Sequence, residues 1–325
     1  MSKAIRIHAH GGPEVLTYED ADPGQPGAGQ ILIRHTAIGL NFIDVYHRSG
    51  LYPPPGGFPL IPGGEAAGVV LAVGAGIDWL SPGDRIAYAV TVGAYSEQRV
   101  IAADRVVKVP DGISDEQAAA MMLKGMTAEY LLRRTYKVKA GDTLLYHAAA
   151  GGVGLILGQW AKHIGATVIG TASSADKIEL AKAHGFDHVI NYKEQDFVAG
   201  VAAITDGKKC DVVYDSVGND TFPASLDCLR PLGMFVSFGQ SSGPIPPFPV
   251  SLLAQKGSLY VTRPTLFVYN ARREDLVASA QALFDVVLSG AVEIKINQRY
   301  ALKDAGQAQS DLESRRTTGA TILVP

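Results

Sequence analysis

Ala148-Ala149-Ala150-Gly151-Gly152-Val153-Gly154 is the stretch that decides how this chain is read. A strand-like run, Thr143-Leu144-Leu145-Tyr146, leads into it and an amphipathic helix leads out. The apolar positions Val153, Ile156, Leu157, Trp160, Ala161 and Ile164 recur at the i, i+3, i+4, i+7 spacing of one helix face. Strand, glycine turn and helix form the context of a dinucleotide fingerprint. Small residues let the backbone approach a pyrophosphate, and the N–H groups and dipole of the helix N-terminus receive its charge. The motif is a variant, with Ala148, Gly151 and Gly154 at its key places. A tight turn without a ligand would use similar residues, but the flanking βαβ periodicity favours the dinucleotide site.

The following strand, Ala166–Ala172, speaks to the kind of dinucleotide. A site for NAD places Asp or Glu at its end, to bind the ribose 2′-hydroxyl. Here the strand ends in Ala172-Ser173-Ser174 and Lys177 follows; the nearest acid, Asp176, lies past the strand end. Two hydroxyls and an ammonium attract a 2′-phosphate that a carboxylate would repel. Ser173 or Ser174 also suits a helix N-cap and Lys177 a solvated helix face, roles compatible with phosphate binding. The pattern favours NADPH.

The bulk numbers bound the rest. With 325 residues, 47% of them hydrophobic, the chain suits two domains and carries no signature of disorder. Lys plus Arg is 29 against 32 for Asp plus Glu, a net charge of −3, which argues against nucleic-acid and anionic-membrane partners. Only Cys210 and Cys228 occur, with no CxxC spacing, so the compartment reads as reducing. Met1–Arg6 lacks an apolar signal core, and the uncharged stretch Ala148–Ala161 is glycine-interrupted and too short to span a bilayer. A cytoplasmic protein is expected.

From about Asp142 to Pro264 strands alternate with helices. The strands are the two above, His188–Tyr192, Cys210–Asp215, Gly233–Phe238 and Ser258–Thr262; helices are expected near Asp176–His184, Gln195–Thr205, Thr221–Leu229 and Ser251–Gln255. This rhythm predicts an α/β fold with a doubly wound parallel Rossmann sheet. The first 120 residues differ. Short alternating runs such as Gln30–Ala37, Ala67–Val73, Arg85–Ala89 and Glu97–Val100 are separated by glycine and proline turns, as in an antiparallel, barrel-like β domain. After Pro264 come a helix near Glu274–Leu288 and β runs at Glu293–Tyr300 and Thr321–Pro325, which leave the βα rhythm. The expected division is 1–124 for a catalytic β domain, 125–264 for the dinucleotide domain, and 265–325 for a return to the first.

Together these features resemble the medium-chain dehydrogenase/reductase superfamily, and within it the zinc-free, zeta-crystallin-like NADPH:quinone oxidoreductases. The resemblance spans essentially the whole chain. It rests on Asn41-Phe42-Ile43-Asp44, Pro62–Gly68, Gly83-Asp84-Arg85, His147–Gly154, Tyr214–Gly218 and Tyr260–Pro264. It implies a GroES-like, mainly antiparallel β catalytic domain beside the Rossmann domain. Zinc-dependent relatives carry Cys in the first motif and His in the second, where this chain has Asn41 and Gly64, so the resemblance implies no metal. Asp44 and His47 form one metal-like pair without a third ligand, and are expected to be a hydrogen-bonded surface pair.

Without a Lewis acid the acceptor must itself be electrophilic, a small quinone or a carbonyl-conjugated alkene. The implied activity is quinone reduction by NADPH, with 2-alkenal or enone reduction as an alternative and a non-catalytic NADPH-binding protein as another. By position in the family, Asn41, Tyr46, Tyr52 and Arg263 are candidates for acceptor chemistry, the tyrosines being equally well read as half-buried aromatics and Arg263 as a surface ion-pair partner. Cofactor contacts carried over are Asn41, Tyr130, Gly152, Val153, Ser173, Lys177, Tyr192, Ser216, Phe238 and Arg315. Gly151 and Ser174 join them from the turn and strand end, and Ser241 from the end of the fifth strand. His147 is expected to be a core histidine bonded to backbone. The apolar edge strand Ser258–Thr262 predicts a homodimer by strand pairing.

Overall fold

The computed structural model describes residues 2–325 and divides the chain into two units, one of which holds the fingerprint. That unit comprises Thr127–Tyr269 and Ser289–Glu293. Its six strands lie in the spatial order His188–Asn191, Thr167–Ala172, Thr143–Tyr146, Cys210–Asp215, Leu229–Ser237, Tyr260–Thr262, and every pairing is parallel. The order reverses between Thr143–Tyr146 and Cys210–Asp215. Open α/β sheets bind ligands at such a switch, outside the carboxyl ends of the strands. Leu144, Leu145, Val168, Ile169, Val212 and Val213 are all fully buried, so successive residues that point to opposite faces are both covered. Leu145, Ile169, Ile190, Val213 and Phe235 pack with Phe222, Leu226 and Leu259 on one side.

Two expected elements differ. Thr221–Leu229 is not an α-helix; only Ala224–Cys228 forms a 3-10 turn, and the next strand already starts at Leu229. Pro223 cannot donate a backbone hydrogen bond, and the Thr221 and Ser225 hydroxyls bond the carbonyls of Gly218 and Thr221. The last strand is shortened to Tyr260–Thr262, because Ser258 takes a left-handed conformation with φ 55°. The helix Phe197–Ile204 starts at Asp196, whose side chain accepts from the Ala199 amide, an N-cap at an otherwise very apolar helix.

The other unit takes in the chain up to Met126 with Asn270–Leu288 and Ile294–Pro325. Its central strand, Gln30–Gly39, pairs antiparallel with Glu65–Val73, with Gln98–Ala102 and, at Ile38 and Gly39, with Ala320–Val324. Arg85–Ala89 and Val106–Lys108 extend the sheet beyond Glu65–Val73, while Ile296–Ala301 adds a parallel pair at the other edge. The sheet is therefore mainly antiparallel. Its core gathers Ile31, Ile33, Ile38, Val70, Ile86, Tyr88, Tyr95 and Leu323. Gly39 ends the central strand for a steric reason: a Cβ there would stand 2.3 Å from the Ala119 carbonyl oxygen and 2.3 Å from Glu65 Oε2. Among the described residues no helix is long and apolar enough to cross a membrane.

Candidate functional site

In the dinucleotide unit the glycine turn is built for close approach. Gly151 caps the helix Gly152–Ile164 in an extended conformation, and the first helical turn carries no acidic residue. Its leading N–H groups have no intrahelical acceptor and can receive an anion. At Gly154 a Cβ would fall 2.4 Å from the Ala149 carbonyl oxygen, so the helix packs onto its own entering loop only as glycine. Gly151, Gly152 and Val153 are all partly exposed. These features fit a pyrophosphate.

Beneath the turn lies a buried polar network. His147 is 1% exposed and bonds Thr171 Oγ1 at 3.1 Å and Ser225 Oγ at 2.9 Å. Its partners are thus side chains, and the expected backbone bond is corrected: the ring sits between Thr171 on the strand Thr167–Ala172 and Ser225 in the 3-10 turn Ala224–Cys228. Burial lowers its pKa, with the charge of Asp215 opposing, so the ring is neutral. Asp215, fully buried, accepts from the Val217 and Gly218 amides at 2.8 and 3.0 Å, and from Thr221 Oγ1 and Ser225 Oγ at 2.7 and 3.1 Å. This carboxylate shapes the turn that carries Ser216. Phe238 N donates to Asp215 O and Ser241 N to Ser216 O, so Ser216, Phe238 and Ser241 come together at the ends of the fourth and fifth strands.

At the end of the second strand Ser174 is the N-cap of Ala175–Lys182, though its side chain makes no capping bond. Lys177 lies on the first turn of that helix, and the backbone N–H of Tyr192 donates to Ala172 O at 3.2 Å. Ser173, Ser174, Lys177 and Tyr192 therefore surround one strand end, and no carboxylate belongs to the strand there. Tyr130 lies in the same unit: its ring stacks on Tyr269 at 4.7 Å, with the Arg134 guanidinium over the other ring. Burial pushes the Tyr130 hydroxyl well above its ordinary range, with the Arg263 charge opposing. Arg263 donates to Ser237 O at 3.0 Å, and Tyr146 meets Phe238 at 5.8 Å. Tyr130, Phe238 and Arg263 thus collect at the carboxyl ends of the strands.

In the first unit Asn41 is the N-cap of the helix Phe42–Ser49. Its backbone N–H donates to Asp44 Oδ2 at 2.9 Å and its side-chain Nδ2 to Glu65 Oε2 at 2.8 Å. Asp44 also accepts from the Tyr95 hydroxyl at 2.9 Å. Asp44 and His47 are 0% and 3% exposed, so the expected hydrogen-bonded surface pair is corrected. The helix turns this face inward, where Asp44 serves its own N-cap, and His47 meets the ring of Tyr52 edge-on at 5.9 Å. Tyr46 and Tyr52 also meet edge-on at 5.2 Å, and Tyr52 N donates to Tyr46 O. Tyr46 is 9% exposed and Tyr52 partly so. Arg315, exposed and left-handed at φ 59°, ends the turn after Ala305–Glu313, apart from Asn41 in the sequence but in the same unit.

Burial raises Asp44 to about 7, against the opposing hydrogen bonds of Asn41 and Tyr95. A carboxyl raised on folding binds its proton more tightly in the native state. Its contribution to stability is complete below the unfolded value and is lost as pH rises through the folded one. Asp44→Asn, which keeps an oxygen for Asn41 N and Tyr95, should flatten the fall in unfolding free energy between about pH 4 and 7. Denaturant titrations across that range check this; an unchanged slope would place the titration elsewhere.

Among the described residues no group of three or more His, Cys, Asp or Glu side chains is placed to hold a metal ion. The backbone closes around Gly64, where a Cβ would be 2.7 Å from the Val90 carbonyl oxygen.

With this geometry in hand, the chain matches the alcohol dehydrogenase GroES-like domain over residues 27–111 and the zinc-binding dehydrogenase family over residues 152–285. A quinone oxidoreductase of Pseudomonas aeruginosa is 53% identical over the full length of both chains. The solved structure of Escherichia coli quinone oxidoreductase complexed with NADPH is 50% identical, with a TM-score of 0.97 over 99% of this chain and 100% of that one. The chain belongs to the quinone oxidoreductase family. A 2-haloacrylate reductase of a Burkholderia species is 45% identical over 100% of this chain and 99% of that protein.

The sequence singles out Asn41 but does not show that Glu65, Lys124, Asp44 and Tyr95 surround it. One signal was available. Glu65 is a lone carboxylate in the small, apolar run Gly63-Gly64-Glu65-Ala66-Ala67-Gly68, which a buried strand keeps only when the charge is paired. Asp215 lies in the motif Tyr214–Gly218, but its four donors come from turns that no periodicity reveals.

Proposed function

We propose that this protein is an NADPH-dependent quinone oxidoreductase that acts on small quinones. One observation carries the cofactor choice: the strand Thr167–Ala172 ends among Ser173, Ser174, Lys177 and Tyr192, with no carboxylate on it. Bound NADPH supplies the hydride. The chain's own residues do the rest. Gly151, Gly152 and Val153 receive the pyrophosphate, and Ser173, Ser174, Lys177 and Tyr192 hold the 2′-phosphate. Ser216, Phe238, Ser241 and Tyr130 line the strand ends toward the nicotinamide half, and Arg315 is a further cofactor contact by its position in the family. Asn41, Tyr46, Tyr52 and Arg263 contact the acceptor; Asn41 and Arg263 offer N–H donors to the anion that develops on its oxygen. The site residues are supported by the family's positions and by the groupings described above.

A second reading, reduction of an activated alkene, is favoured by the 2-haloacrylate reductase relative. Steady-state NADPH oxidation with a panel of 1,4-quinones and 2-alkenals separates the two. Faster turnover of quinones is expected; turnover of alkenals alone would replace quinone reduction with the second reading, and turnover of neither would leave a binding protein.

The same proposal includes a cytoplasmic location, which suits two buried, unbridged cysteines, Cys210 and Cys228. It also includes a homodimer. The outermost strand Tyr260–Thr262 carries Tyr260 and Val261 at 59% and 38% exposure, an apolar edge suited to pairing with a second copy. Light scattering at micromolar concentration should give twice the chain mass; a monomer would remove this part of the reading.

A further inference from the structure

Glu65 is fully buried, yet its carboxylate accepts three hydrogen bonds. Leu123 N donates to Oε1 at 2.7 Å; Lys124 Nζ and Asn41 Nδ2 donate to Oε2 at 2.7 and 2.8 Å. Lys124 is itself 4% exposed. Burying such an ion pair is a poor way to stabilise a fold, because desolvation offsets most of the attraction and an apolar pair of similar volume does as well. The chain nevertheless makes room for it: Gly39 leaves the space that the carboxylate fills.

What an apolar pair could not do is orient an amide. An asparagine side chain presents a donor on one side and an acceptor on the other, and it can turn over. An ionised carboxylate only accepts. Facing Glu65, Asn41 must therefore turn Nδ2 toward it, which places Oδ1 on the opposite side and leaves one Nδ2–H uncommitted to Glu65. The bond from Asn41 N to Asp44 Oδ2 fixes the backbone from which the amide hangs.

We propose that Glu65, held by Lys124 and the Leu123 amide, is a positioning residue that locks the Asn41 amide in one orientation, with its oxygen toward the Asp44 backbone N–H of its own cap, so that its remaining N–H meets the acceptor oxygen in a fixed place. The proposal rests on the contact role given to Asn41 above. Lys124 has a second part in it. Its ammonium neutralises the carboxylate, so the lock does not set an uncompensated negative charge beside a site where an acceptor becomes anionic.

The test is a mutant cycle read in kcat/KM for a 1,4-quinone and in KM for NADPH, with thermal unfolding measured alongside. Glu65→Gln puts an NH2 group where only an acceptor fits and releases the amide. It should lower kcat/KM about 10–100-fold, the scale of a misplaced catalytic contact. In an Asn41→Ala background the same substitution should cost less than about twofold more, because the amide it positions is gone. A merely structural Glu65 would lower activity equally in both backgrounds, and that result overturns the proposal. If Asn41→Ala alone leaves kinetics unchanged, the contact reading of Asn41 fails first and takes the proposal with it. Should Glu65→Gln not fold, the double substitution Glu65→Gln with Lys124→Met, which leaves no unpaired buried charge, runs the same cycle with the same expected outcomes.

Discussion

Lys177→Ala is expected to raise KM for NADPH about 10–150-fold, the equivalent of one lost charge-assisted hydrogen bond of roughly 1.5–3 kcal/mol. KM for NADH should barely move, because NADH has no 2′-phosphate for the ammonium to meet. The grounds are local. The strand Thr167–Ala172 ends at Ser173, the helix bearing Lys177 starts at Ala175, and Tyr192 is tied to Ala172 O by its own amide. These residues stand where an NAD site would place a carboxylate. The turnover number should change little, since the phosphate is remote from the transferred hydride and is bound equally in ground and transition states. Equal weakening of both cofactors would make Lys177 a structural residue of its helix and remove the main support for NADPH selectivity.

How much of this could be read from sequence depends on the range of the interaction. The alternation of strands and helices in the dinucleotide unit was legible because each is coded by local periodicity, whereas the order of the strands in the sheet was not. The fingerprint turn was legible for the same reason: Gly151 and Gly154 act on neighbours within five residues. Thr221–Leu229 failed as a helix because Pro223 and hydroxyl-to-carbonyl bonds compete with helix formation; the proline was visible in the sequence, the hydroxyl bonds were not. Asp44 and His47 looked like a surface pair at helical spacing. Which face of a short helix is buried, however, is decided by what packs beneath it, here by Tyr95 in the loop before Gln98–Ala102, far along the chain. The Asn41–Glu65–Lys124 chain joins a cap, a strand and a helix separated by 24 and 59 residues, so the local run marks Glu65 as a paired carboxylate but not its partners.

Asp215→Ala should destabilise the protein by about 2–6 kcal/mol, a large share of the roughly 5–15 kcal/mol that holds a typical domain folded. The carboxylate serves four donors, but they are not equally exposed to its loss. The Thr221 and Ser225 hydroxyls keep second acceptors in the carbonyls of Gly218 and Thr221 at 3.1 and 3.0 Å. Val217 N, part-buried, and Gly218 N, buried, have their acceptor in Asp215 Oδ1, and an amide stranded away from water costs about 1–3 kcal/mol. The methyl of alanine also leaves a void against His147, whose ring is held neutral by burial and loses the neighbouring charge that favours its protonation. The turn carrying Ser216 would slacken with it, so KM for NADPH should rise even at temperatures where the variant remains folded. Equilibrium unfolding in urea, with the slope checked for constancy, measures the first effect, and steady-state kinetics well below the melting point measures the second. A loss below about 1 kcal/mol would mean that water replaces the carboxylate at the two amides, and the turn would then owe its shape to its backbone bonds with Phe238, Ser241, Ser242 and Phe222.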